Sequence, residues 1–127
     1  IAGLNAALKW IDETSVEEIF KTEEANRLRL LELLRHYDFL KIVGNQPDHK
    51  YVGIVSCVID GISSDSAGVI FNEQGISVRT GLHCAPLAHQ FIHTYPVGTI
   101  RFSVNYFTSE KDFEELEAAL DYIEENI

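Results

Sequence analysis

Gly75-Ile76-Ser77-Val78-Arg79-Thr80-Gly81-Leu82-His83-Cys84-Ala85-Pro86-Leu87 is the stretch from which the rest of the chain is read. Ile76 and Val78 alternate about Ser77 after a glycine, the pattern of a short strand over 76–78. The residues that follow place a guanidinium, a glycine, an imidazole and a thiol close together: Arg79, Gly81, His83 and Cys84. Pro86 closes the segment by restricting its own φ and that of its predecessor. A loop of this composition suits anion binding and a reactive sulfur. The thiolate is the nucleophilic form, and nearby positive charge favours it. Arg79 and a protonated His83 are such neighbours. The residues alone also allow a small apolar Cys lying inert at a strand end.

Working outward, Thr99–Val104 reads as a further strand, in which alternation sets Arg101 and Ser103 against Ile100 and Phe102. A guanidinium held on a strand is a natural fork for a carboxylate. An exposed Arg101, or an ion pair with an acidic helix, is the alternative. Arg79 orients the loop, polarises the thiol, contacts an anionic ligand or forms a structural salt bridge. His83 tunes Cys84, donates a proton or packs beside the loop. Upstream, residues 3–12 form a short helix and Ser15 or Thr14 caps a second, with Glu17 and Glu18 in its first turn. That helix runs to about Tyr37 on a broken stripe of Ile19, Phe20, Leu28, Leu31 and Leu34. Leu40–Val43 is a strand closed by Gly44-Asn45-Gln46-Pro47. Tyr51–Ile59 is a second strand, its irregular apolar pattern pointing to cover on both faces, with Cys57 structural. Ser63 or Ser64 caps a helix to about Asn72, which Gly75 ends. Ser109 with Asp112 forms a capping box before a last helix striped by Phe113, Leu116, Leu120 and Ile123. Strands interleaved with helices predict an α+β domain, a small, mostly antiparallel sheet with helices packed on one face.

The 127 residues are enough for one domain with a real core, and 46% of them are hydrophobic. A formal net charge of −10 argues against nucleic acid as a partner. Much of that charge lies in the last helix, as expected of a solvated face. No apolar run is long enough to span a bilayer, so no membrane partner is expected. Two Cys make no disulfide framework and fit a reducing, cytoplasmic setting. His83, Cys84, His89 and His93 resemble half of a zinc finger, but no paired Cys motif precedes them, so no metal is expected.

The segment Gly75–Leu87, with Gly98-Thr99-Ile100-Arg101-Phe102-Ser103 and Asn105-Tyr106-Phe107-Thr108, closely resembles the C-terminal region of class V aminotransferase-type enzymes, best the cysteine desulfurase and selenocysteine lyase branch. The likeness runs more weakly back to Gly3–Leu8. It implies a pyridoxal phosphate (PLP) enzyme converting L-cysteine to L-alanine, with Cys84 taking the sulfur as a persulfide and His83 assisting. It implies that Arg101, with Arg79, binds the substrate carboxylate. It further implies that residues 1–127 are a single C-terminal small domain of a longer enzyme, fitting a start at Ile1 and the absence of Met. The lysine that holds PLP is then expected in a large domain outside this chain, so none of these residues is assigned to the cofactor. His49-Lys50 imitates the family's lysine motif at the wrong place. A homodimer and a sulfur-acceptor protein are the implied partners. Leu82, where many desulfurases carry a second His, and the segment His89–Val97 depart from the pattern and leave the sulfur acceptor and the amino acid open. The alternatives are a selenocysteine lyase or aminotransferase of the same family, or a non-catalytic acidic interaction domain.

Overall fold

The structure, a computed structural model, describes residues 1–126. In chain order it contains α1 (Ala2–Thr14), α2 (Val16–Arg35), β1 (Leu40–Val43), β2 (Ile54–Ile59), α3 (Ser64–Glu73), β3 (Arg79–Gly81), α4 (Pro86–Phe91), β4 (Thr99–Ser103) and α5 (Glu110–Asn126). The four strands form one sheet in the order β1-β2-β4-β3, and every neighbouring pair is antiparallel. This is the expected α+β architecture.

Register divides the sheet into two unlike faces. Val55 pairs with Phe102, Cys57 with both Ile42 and Ile100, and Ile59 with Leu40. Side chains alternate along a strand, so these residues share one face. Against it lie Leu30 and Leu34 of α2, Ala67 and Phe71 of α3, and Phe113, Leu116, Leu120 and Ile123 of α5, all buried in one core. Phe71 meets Phe102 edge-on at 5.3 Å between ring centroids, the arrangement favoured by the ring quadrupoles. Gly68 lets α3 approach β3: a Cβ there would lie 2.5 Å from Thr80 Cγ2. The opposite face carries Lys41 and Val43, Ser56 and Val58, Thr99 and Arg101, and Arg79. No helix of the core layer covers it, so β2 is buried on one side only and the expectation of two covered faces is corrected. Ile54, which its pattern also grouped with the apolar residues, is exposed.

Local signals place the helix ends. Ser15 accepts from the Glu18 amide at 3.2 Å and starts α2. Ser63 accepts from the Ser66 amide at 3.1 Å and starts α3. Asp112 accepts from the Ser109 amide at 2.7 Å, closing the predicted box before α5. The α2 stripe differs from the reading: Arg27, Leu30, Leu31 and Leu34 are buried, whereas Leu28 and Phe20 are exposed. The i, i+3, i+4, i+7 spacing from residue 27 selects the inward face, and it runs through a guanidinium that composition alone would place outside. Arg27 donates to Asn45 Oδ1 at 2.7 Å and stacks over Tyr51 at 4.1 Å, pinning the loop between β1 and β2. β2 begins at Ile54, three residues later than expected. Gly53 sits where a Cβ would lie 2.0 Å from the Val104 carbonyl oxygen. Among the described residues no helix is long and apolar enough to cross a membrane.

Candidate functional site

The third strand is displaced from its expected position. Residues 76–78 are irregular, and pairing begins at Arg79, which sits opposite Arg101, followed by Thr80 opposite Ile100 and Gly81 opposite Thr99. Ile76 and Val78 instead pack against the edge of the core. Arg79 is thus a strand residue rather than a loop residue, and the turn begins after Gly81. Register puts Arg79, Arg101 and Ser56 in one row across the open face, because Ser56 is the other partner of Arg101.

Two guanidiniums standing directly opposite each other repel unless an anion lies between or over them. The ion pairs among the described residues are Arg29–Glu110 and Lys111–Glu115. Neither involves Arg79 or Arg101. The acidic helix α5 packs on the other side of the sheet, so the ion-pair alternative for Arg101 is not formed. Arg101 Nε is buried and has no hydrogen-bond partner. A buried donor without an acceptor costs about 1–3 kcal/mol. Such a cost persists at places where a ligand supplies the acceptor.

The turn beyond β3 brings the imidazole and the thiol to this end of the sheet. His83 and Cys84 both have left-handed backbones, with φ 48° and 61°, a conformation that strains non-glycine residues. The Ala85 amide donates to the Leu82 carbonyl at 2.8 Å and closes the turn. His83 Nε2 lies 3.2 Å from Thr99 Oγ1, the residue two before Arg101. The bend fits closely. A Cβ on Gly98, whose φ is +79°, would lie 2.2 Å from the Gly81 backbone. Burial pushes the His83 pKa down, and the positive charge of Arg101 adds to this, while a hydrogen bond with the Thr99 backbone opposes it. These surroundings favour the neutral imidazole over the charged one.

Cys84 is exposed and unpaired at the tip of the turn, while Cys57 is buried and unpaired in the core. Burial pushes the Cys57 thiol up to about 12. The two cysteines thus contrast in exposure as their sequence contexts predict. The structure places His83 within reach of the charges of Arg101 and Arg79, and leaves Cys84, next to His83 in the chain, exposed. Two further residues lie beside His83: Thr99, which the sequence did not single out, and His89, weighed there only as a metal ligand, whose ring centre is 5.9 Å from that of His83. His89 lies on α4, a helix the sequence reading did not anticipate. Leu87 and Phe91, spaced like a buried stripe, are exposed, and His89 between them is buried. No sequence signal distinguishes that arrangement. Among the described residues, no three His, Cys, Asp or Glu side chains converge to hold a metal ion.

The chain is thus an antiparallel sheet shielded by helices on one side, with Arg79 and Arg101 facing each other on the other. The family model described as Aminotransferase class-V matches residues 1–116, and the chain belongs to that family of PLP-dependent enzymes. It is 32% identical over 120 residues to a cysteine desulfurase of Synechococcus elongatus, covering 93% of this chain and 18% of that protein. It is 31% identical over 124 residues to a probable cysteine desulfurase of Aeropyrum pernix, covering 95% and 30% respectively. In structure it resembles the apo cysteine desulfurase of Thermococcus onnurineus NA1, with a TM-score of 0.88 at 23% identity, covering 98% of this chain and 30% of that one. The chain spans less than a third of the length of each.

The donor set fits one part of a PLP site. Arg101, with its unmet Nε and Arg79 opposite, presents donors of the kind an anion satisfies. The cofactor aldehyde needs an amine, and the five lysines do not supply one here. Lys9 and Lys21 lie on α1 and α2, Lys50 in the exposed 44–53 loop, and Lys111 pairs with Glu115 on α5. Lys41 shares the open face but stands exposed on edge strand β1, two strands from Arg101.

Proposed function

We propose that this chain is the C-terminal small domain of a longer PLP-dependent cysteine desulfurase, in which Arg101 anchors the carboxylate of L-cysteine and Cys84 accepts its sulfur. The observation that carries this reading is the buried, unpartnered Nε of Arg101, whose charge reaches His83, the neighbour of the exposed Cys84. Bound PLP supplies the electron sink that weakens bonds at the substrate's Cα. Everything else asked of this chain is positioning and proton handling. Arg101 presents a planar fork to the carboxylate, and Arg79 opposite it adds charge. Together they orient the substrate so that its sulfur faces the Cys84 turn. The neutral His83 imidazole, next in the chain, takes the proton from the Cys84 thiol. The thiolate attacks the substrate sulfur, the carbon–sulfur bond breaks, and its electron pair stays with the carbon, which is protonated to give alanine. The sum is one L-cysteine and one thiol giving one L-alanine and one persulfide, with no external oxidant. Exposure of Cys84 suits onward transfer to an acceptor. A homodimer, a sulfur-accepting protein and a reducing, cytoplasmic setting belong to the same reading.

The test is made in the longer protein by measuring alanine formation and mapping the persulfide. Arg101→Lys is expected to lose nearly as much kcat/KM for L-cysteine as Arg101→Ala, about 2–4 kcal/mol of transition-state binding, because an ammonium cannot replace the fork. Cys84→Ala is expected to carry no persulfide. A persulfide on Cys57, or undiminished alanine release from Cys84→Ala, would overturn the assignment of the acceptor.

A further inference from the structure

His89 is a buried polar group to which the reaction above gives no task. It is the one buried residue of α4. Leu87 and Phe91 on the same helix are 77% and 84% exposed, so no apolar packing fastens the helix to the body of the chain. A helix of six residues does not hold its own position by intrinsic stability. Burying an imidazole is unfavourable unless it is hydrogen-bonded, and here it is: His89 Nδ1 lies 2.6 Å from Thr94 Oγ1. The His89 carbonyl also accepts from the Thr94 amide at 2.9 Å and the Tyr95 amide at 3.2 Å. Thr94 in turn accepts the Gly98 amide on its carbonyl at 2.7 Å, and Gly98 leads directly into Thr99, which contacts His83. The chain leaves Cys84, enters α4, turns at His89–Thr94 and returns to Thr99 beside His83.

We propose that His89 is a positioning residue for Cys84. Its bond to Thr94 closes the 85–99 segment so that Thr99 holds His83, and the His83–Cys84 pair is kept in its left-handed turn. An apolar residue would fill the same space without direction, whereas the imidazole–hydroxyl bond sets the rotation of α4 about its axis. The proposal rests on the reading of Cys84 as sulfur acceptor for its purpose. The geometry it asserts is tested without that reading.

The first measurement uses this chain and follows amide hydrogen exchange of Ala85, the donor that closes the Cys84 turn. Iodoacetamide labelling of buried Cys57 serves as the monitor of global opening. In His89→Leu and in Thr94→Val, Ala85 is expected to exchange at least about tenfold faster while Cys57 stays unlabelled. In His89→Asn, whose amide reaches the position of Nδ1, protection is expected to return to within about threefold of the parent. The second measurement uses the longer protein. His89→Leu is expected to lower kcat for L-cysteine about tenfold or more with KM little changed, because Arg101 is untouched. Unchanged Ala85 protection in His89→Leu, equal loss in His89→Asn and His89→Leu, or Cys57 labelling rising together with Ala85 exchange would each overturn the positioning role. If the exchange results hold and kcat does not fall, the turn is held as described and Cys84 is not the acceptor.

Discussion

Arg101→Met separates what this residue does for the fold from what it does for a ligand. In the chain by itself, Arg101 Nε is buried without an acceptor, and Arg79 stands directly opposite. An unmet buried donor costs about 1–3 kcal/mol. Like charges facing each other across strands cost a few tenths more, reduced because Arg79 is exposed. Methionine keeps the unbranched stem that packs along the strand and removes both penalties. The loss of guanidinium hydration offsets part of the gain. A net stabilisation of about 1–2 kcal/mol follows, a rise of roughly 3–8 °C in the unfolding midpoint for a domain of this length. The assay is thermal and urea unfolding of the chain at pH 7 by circular dichroism, in a buffer without multivalent anions. In the longer protein, the same substitution is expected to abolish the carboxylate contact and reduce kcat/KM by a factor of one hundred or more. Gain of stability with loss of activity is the pattern of a site that keeps an unfavourable group for its ligand. Destabilisation of the chain by more than about 1 kcal/mol would refute the reasoning, because it would mean that the guanidinium is held by the fold itself.

In the folded chain iodoacetamide is expected to label Cys84 and leave Cys57 unmodified, with peptide mapping as the check. Because the folded Cys57 thiol titrates near 12 and an unfolded one near 9, its contribution to stability is fully present below about pH 9. It falls by about 1.4 kcal/mol per unit as pH rises from there toward 12. Cys57→Val is expected to make urea unfolding less sensitive to pH over that window, and an unchanged pH slope would contradict it. Gly98→Ala places a Cβ 2.2 Å from the Gly81 backbone at a φ of +79°. It is expected to cost about 2 kcal/mol or more and to disturb the His83–Thr99 contact, visible as a lower midpoint and shifted His83 imidazole resonances.

The sequence by itself was sufficient wherever the controlling interaction is local. β1 was legible to the residue because Gly44 and Pro47 end it. The ends of α2, α3 and α5 were legible because a Ser or Asp side chain reaches an amide three residues away. The division of β4 into Ile100 and Phe102 against Arg101 was legible because side chains alternate along a strand. Arg101 and Cys84 stood out as residue types in a pattern that resembles a family, and the sequence proposed a role for each. Tertiary structure decided the rest. The third strand lies at Arg79–Gly81 and not at 76–78 because a short edge strand is defined by its partner. β4 supplies that partner only where Gly81 and Gly98 approach. Arg27 is inside and Leu28 outside because the loop between β1 and β2 supplies Asn45 and Tyr51 as partners for a guanidinium. His89 is buried and Phe91 exposed because Thr94, brought back by the turn after α4, offers a hydroxyl. Arg101 is left without an acceptor because α5, which carries the acids, packs on the other face of the sheet. Each of these depends on which group stands opposite across the fold, and no local pattern in the chain carries that information.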